Sequence, residues 1–247
     1  MGAIYVLWIR QLKRYFRNKA RIVGSLGQPL LFLIALTVGF GPIYAKAGDG
    51  SYLQFLAPGI MAMSILFTSI FSGMEIIWDR QFGFLKETLV APVPRTKIMI
   101  GRTLGGTTIA VFQGIIVLII STIGGFKPDI MMIPLALVFM ILTSLLFTAL
   151  GTALASHLND MQGFQLIINF LIMPLFFLSG SLFPLEGMPK AITIITMLNP
   201  LSYGVDGIRG ALTGVSQFGI MLDLGVLLIV ATILIFIGSY MFSRIEV

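Results

Sequence analysis

Ten acidic residues, one histidine and no cysteine leave this 247-residue chain few candidates for a catalytic or metal site. Without cysteine there is no disulfide, thiolate ligand or thiol nucleophile, and His157 alone makes no multi-histidine centre. The acids are scattered at the ends of apolar runs or between them, whereas an intramembrane hydrolase or prenyl transferase needs paired acids, or a Ser or His dyad, facing a cavity. Glu75 lies within a turn of Asp79 and Arg80 at the end of an apolar run, a place that fits an interfacial ion pair better than a proton carrier. A phosphate-cradling loop needs Gly-Lys-Ser/Thr, and none of the seven lysines follows a glycine. The glycines of 101–106 therefore read as a helix-packing surface. Asn169 stands out as the deepest strong hydrogen-bonding side chain in an apolar run, where a lone asparagine reads as helix–helix glue. These residues predict no catalytic site, no metal site and no cofactor held by this chain.

The elements that carry them are membrane helices. With 57% hydrophobic and 11% charged residues and a mean hydropathy of +1.00, the chain has more apolar side chains than one soluble core could hide. An all-α integral membrane domain with six transmembrane helices is predicted, at 22–40, 52–78, 103–126, 130–156, 164–183 and 221–242. Residues 1–21 predict an interfacial amphipathic helix: Ile4, Leu7, Trp8, Leu12, Tyr15 and Phe16 share one side, and Arg10, Lys13, Arg14 and Arg17 the other. This stretch reads as a lipid-anchoring helix rather than a cleavable leader. Gly41–Ser51 predicts a turn-rich loop with Pro42, Gly48 and Gly50. Residues 184–219 are too broken for a simple connection, and Ala191–Leu198 is too short to span, so a re-entrant or interfacial external segment is expected. Asp206 and Arg209, one turn apart, would pair if that stretch is helical.

The cytosolic loop 79–102 is the longest charged stretch. It holds Arg80, Lys86, Arg95, Lys97 and Arg102; with the six basic residues of 10–21 and Arg244, twelve cations fall on one side against Lys46, Lys127, Lys190 and Arg209 on the other. That bias places both termini in the cytoplasm. The net charge of +6 follows from this topology and from anionic lipid, and implies no nucleic-acid partner. Phe84, Leu85, Thr88 and Leu89 can form one face of a short helix, with Lys86 and Glu87 opposite, before Pro92 and Pro94 end it. Two readings stay open from spacing: a docking platform, or a solvated hairpin.

Three stretches are similar to one family. They are Arg17-Asn18 followed by Pro29; Asp79-Arg80-x-x-Gly83-x-Leu85-x-x-x-Leu89-x-x-Pro92-Val93-x-Arg95; and Leu178-Ser179-Gly180-x-x-Phe183-Pro184 continued by Asn199-Pro200-Leu201-Ser202-Tyr203-x-Val205-Asp206-x-x-Arg209. Over nearly its whole length the chain resembles the membrane permeases of the ABC type-2 exporter class, which includes daunorubicin, nodulation-factor and polysaccharide export subunits. The resemblance implies a half-transporter in a prokaryotic cytoplasmic membrane, paired with a second copy or a paralogous permease. Separate cytosolic ATPase subunits would bind ATP and Mg and drive it. Coupling to them would fall to Arg80, Gly83, Phe84, Leu85, Lys86, Glu87, Leu89, Pro92 and Arg95, with 157–162 a smaller contact. Phe183, Pro184, Asn199, Pro200 and Tyr203 would form an external gate, stabilised by Asp206 and Arg209. Phe67, Phe71, Asn169, Met173, Phe176 and Phe177 would line a pliant path for an amphiphile such as a drug, a lipid or a glycan-linked lipid. Two other readings carry less: an ion-coupled transporter or channel acting alone, for which midplane charges are missing, and a lipid-modifying enzyme, for which a catalytic cluster is missing.

Overall fold

A computed structural model describes residues 2–46, 51–90, 92–158, 160–185 and 189–243, and every regular element among them is a helix. Gly48 and Gly50 of the expected turn, the Leu89 side chain and Arg244 lie outside the described residues.

Helix α1 (Ala3–Arg17) ends at Asn18, whose Oδ1 accepts the Arg21 amide at 3.0 Å and so opens α2 (Lys19–Lys46). Pro29 and Pro42 both lie inside α2. The expected turn over 41–46 is thus a correction: the helix runs on, because each proline frees one carbonyl without stopping a helix that other contacts hold. Here Tyr44 packs on the rings of Tyr52 at 5.2 Å and Phe55 at 6.3 Å, which fixes the last turn.

The central helix is α3 (Tyr52–Gln81), buried on most of its circumference. It is followed by the short α4 (Phe84–Val90), then α5 (Arg95–Ile123) and α6 (Ile133–His157), which a 3-10 turn over Ile130–Met132 precedes. Next come α7 (Met161–Ile167), a π turn (Ile168–Ile172) and α8 (Met173–Phe177) in one continuous 17-residue apolar helix. The wide turn sits where Pro174 has no N–H to give the carbonyl of Phe170. Helices α9 (Lys190–Leu198), α10 (Pro200–Thr213) and α11 (Ile220–Ser243) complete the order.

Among the described residues, five helices are long and apolar enough to cross a membrane: α2, α3, α5, the 130–157 stretch and α11. Met161–Phe177, which overlaps the expected fifth crossing at 164–183, is shorter. The region expected to be a broken external segment holds α9 and a helix the sequence reading did not separate, α10, with Asn199 as N-cap, Pro200 at its first position and Gly214 at φ +75° after its end.

Small residues set the crossings. A Cβ on Gly73 would meet the carbonyl oxygen of Gly151 at 2.2 Å, so α3 and α6 touch backbone to backbone. Gly204 and Gly207 seat α10 on Thr143 and Phe139 of α6. On α5, Gly101 and Gly105 receive Leu7 and Gln11 of α1, and Gly106 receives Ser72 of α3, so the glycines of 101–106 are a packing surface. The expected surface helix is therefore clamped to a span, and Trp8 Nε1 donates to Thr108 Oγ1 at 3.0 Å across that contact. Helix α11 buries only the stripe Asp223, Leu227, Ala231, Gly238 and Phe242, leaving the rest of its surface for lipid or another chain.

Candidate coupling surface, pathway and outer gate

At the basic end of the bundle, α3 stops at Gly83, whose φ of +79° disfavours any side chain. In α4, Leu85 is fully buried while Phe84 is 51% exposed, and Phe82 and Val90 are more exposed still. The expected apolar face therefore divides: Leu85 fastens the helix to the bundle and Phe84 faces out, as do Phe82 just before the helix and Val90 at its end. Lys86, Glu87 and Pro92 are exposed, and Thr88 Oγ1 donates to the Phe84 carbonyl at 3.0 Å.

Both flanks of α4 are tied to distant helices. Arg80 donates to the carbonyls of Leu158 at 2.9 Å and Ser156 at 3.1 Å, at the end of α6. Arg95 donates to the Ser243 carbonyl at 2.7 Å, at the end of α11. A helix leaves its last carbonyls without internal partners and carries partial negative charge there, so an arginine satisfies both needs. Arg80 and Arg95, expected as partner contacts, are thus engaged within the chain.

Beside this end lies an ion cluster that spacing did not reveal. Glu75 forms its expected ion pair, but with Arg21 at 2.6 Å and Arg14 at 3.8 Å rather than with Arg80. Asp79 meets Arg102 at 2.5 Å and Arg14 at 3.4 Å. Both carboxylates are buried, and a buried carboxylate is tolerable only when paired. Deeper in, the amide buried within a long apolar helix is Gln113, not Asn169. Gln113 Nε2 donates to Tyr15 Oη at 2.6 Å and to Ser25 Oγ, while its Oε1 accepts from Thr68 at 3.1 Å and Ser64 at 3.3 Å. Asn169 is exposed within the π turn, 3.5 Å from Gln165.

A cavity of about 590 Å³ lies between the α1–α2 elbow, α3 and α5, and Phe67, Phe71, Gln113 and Pro29 are among its walls. From it a run of rings leads outward: Phe71 to Phe67 at 6.4 Å, Phe67 to Phe176 at 6.0 Å, and Phe176 to the exposed Phe177 at 5.3 Å. Four of the six expected path residues thus form one chain; Met173 is half-buried on the same short helix.

At the opposite end the expected gate residues form a locked knot. Asn199 Oδ1 accepts the Leu201 amide at 3.0 Å, and its Nδ2 donates to the Leu175 carbonyl at 2.6 Å, tying α10 to α8. Tyr203 donates to the Met197 carbonyl at 2.7 Å. Asp206 and Arg209 do not pair, although both lie on α10. Asp206 accepts from Ser216 Oγ and from the amides of Gln217 and Phe218 at 2.8–2.9 Å, closing the turn after α10. Arg209 donates to the carbonyls of Gly180 at 2.9 Å and Phe55 at 3.4 Å, and stacks 4.1 Å from the centre of the Phe55 ring. Donors after α10 and carbonyls of other segments outcompete a one-turn neighbour. Phe183 is partly exposed against Phe40 at 6.4 Å, and Pro184 is half-buried. Tyr52, whose hydroxyl donates to the Leu182 carbonyl at 2.8 Å, and Asp223, fully buried with neither oxygen bonded, were not foreseen.

Comparison with known proteins agrees with this architecture. The sequence model of the family described as ABC-2 type transporter matches residues 2–213, a span that holds all three similar stretches. The chain is 31% identical over 212 residues to the putative transport permease ycf38 of Porphyra purpurea, covering 81% of this chain and 70% of that protein. It is 27% identical over 230 residues to nodulation protein J of Rhizobium leguminosarum bv. viciae, covering 91% and 87%. To the inner membrane transport permease YadH of Escherichia coli (strain K12) it is 28% identical over 233 residues, covering 92% and 89%. A multi-pass helical bundle with these relatives over most of its length belongs to the ABC-2 type transporter family.

Proposed function

We propose that the chain is the membrane-spanning subunit of an ATP-binding cassette exporter, carrying an amphiphile across a cytoplasmic membrane on energy supplied by separate ATPase subunits. One observation carries this most: the segment 82–90 around α4 offers exposed Phe82, Phe84 and Val90 to the aqueous side while Leu85 and the two arginine latches hold it to the bundle. A push on α4 reaches α3 and α5 through the chain, α6 through Arg80 and α11 through Arg95. Such a unit rocks as one body, which suits alternate opening of a path. The apolar face of Met161–Phe177, with Leu166, Phe170, Leu171 and Phe177 exposed, supports a second copy or a paralogous permease as neighbour. With that helix as a sixth, thin crossing, both termini lie in the cytoplasm. The ring run from Phe71 to Phe177 fits a pliant amphiphile path, with 199–209 as the outer gate.

The test places a photocrosslinking amino acid at Phe84 of the full chain in cells. Capture of a protein with a phosphate-cradling Gly-Lys-Ser/Thr loop is expected; capture of lipid alone, together with transport by the lone chain in vesicles, would refute the reading. An ion-coupled carrier has one observation in its favour, the buried and unbonded Asp223 carboxyl. Transport driven by an ion gradient without any ATPase would establish it instead.

A further inference from the structure

The cavity beside α1 has a mixed lining. Arg14 and Arg21 border it together with the apolar Pro29, Phe67 and Phe71, and Gly24 follows Arg21 by one turn of α2. Within the ion cluster three arginines (Arg14, Arg21, Arg102) meet two carboxylates (Glu75, Asp79), and 3 − 2 leaves one positive charge uncompensated. Arg14 and Arg21 reach those carboxylates through Nη1 alone, and their side chains are 39% and 27% exposed. Each therefore keeps Nε and Nη2 for a further acceptor, and a tetrahedral oxyanion fits two such forks. A volume of about 590 Å³ takes a headgroup and the first part of a chain, with the remaining tail left in the bilayer.

We propose that this cavity binds a phosphate-headed lipid from the cytoplasmic leaflet, its phosphate between Arg14 and Arg21 and its chain against Phe67 and Phe71. The proposal rests on the exporter reading and gives its substrate a class: an anionic, lipid-linked phosphate.

The full chain is placed in phosphatidylcholine nanodiscs containing phosphatidic acid with a photoreactive acyl chain, or diacylglycerol with the same chain. Phosphatidic acid should label α2 and α3 about tenfold more than diacylglycerol, the range of one or two charge-assisted hydrogen bonds. A Cβ on Gly24 meets nothing within 4 Å, so Gly24→Phe leaves the backbone undisturbed while its ring fills the cavity, and labelling should vanish. Arg14→Gln removes the surplus charge but leaves Arg21 on Glu75 at 2.6 Å and Arg102 on Asp79 at 2.5 Å, so folding should hold and the preference for phosphatidic acid should disappear. Equal labelling by both lipids in the wild type, or unchanged labelling in Gly24→Phe, overturns the proposal. Preferential labelling combined with capture of lipid alone at Phe84 and transport by the lone chain upholds the lipid site and overturns the exporter reading.

Discussion

Replacing Gly73 by alanine tests whether α3 and α6 hold the bundle through backbone contact. The new Cβ would lie 2.2 Å from the Gly151 carbonyl oxygen and 2.4 Å from its carbon, and Gly151→Ala would bring a Cβ to 2.7 Å from the Ile70 carbonyl oxygen. Neither obstacle is a flexible side-chain end, so the helices must part by roughly 1 Å to reach ordinary van der Waals separation. Overpacking of this kind costs about 1–3 kcal/mol, which for a chain of this size lowers Tm by about 5 °C. Gly225→Ala is the control, because its Cβ meets nothing within 4 Å and alanine favours the helix. Thermal unfolding of the full chain in detergent, followed by retention on size exclusion after heating, reads all three. The double variant at Gly73 and Gly151 should lose less than the sum of the singles, since both strain one contact. If Gly73→Ala melts with the wild type, or no earlier than Gly225→Ala, the close crossing is not what holds these helices.

Gly83→Val forces a branched side chain to φ +79°, at a cost of about 1–2 kcal/mol, and should lower transport per ATP hydrolysed by the reconstituted complex while membrane insertion persists; an unchanged ratio counts against α4 as the transmitting element. Phe84→Asp should abolish co-purification with the ATPase and leave Tm intact, whereas Leu85→Asp, which buries a charge, should yield no folded chain; equal behaviour of the two variants would dissolve the distinction between outward and inward faces. Arg209→Met keeps the stem but abandons the Gly180 and Phe55 carbonyls, so stability should fall by about 3 kcal/mol with the outer segment cleaved faster by protease, and unaltered cleavage would contradict the knot. Asp223→Asn replaces a fully buried carboxyl that lies beside Asp206 and receives no donor, and a higher Tm is expected; a lower one would mean that the carboxyl is held by something it needs.

Much of the bundle was legible because it rests on local patterns. Apolar runs of membrane length announced α2, α3, α5, α6 and α11, and glycines at 101, 105 and 106 announced a smooth helix surface. The short helix before Pro92 could be read from four apolar or small side chains and two prolines. What escaped depends on distant neighbours. Glu75 showed that it needed a cation, but Arg14 and Arg21 are 61 and 54 positions away, so spacing pointed to adjacent Arg80 instead. Gln113 is polar in an apolar run just as Asn169 is; only Tyr15, Ser25, Ser64 and Thr68, from three other helices, make it the buried one. Pro42 looked like a helix end because the rings that hold Tyr44, those of Tyr52 and Phe55, belong to the next helix. Asp206 and Arg209 had the spacing of a pair, yet three donors after α10 and two carbonyls outside it claim them separately.

The latch between Arg95 and the Ser243 carbonyl also bears on how the molecule is assembled. Arg95 leaves the ribosome nearly 150 residues ahead of its acceptor, which the last span alone delivers. Until α11 is in place, the segment that carries α4 lacks this latch, and the nascent protein is one in which α4 can shift without moving the far side of the bundle. Arrival of the final helix is what turns a hinged intermediate into a lever.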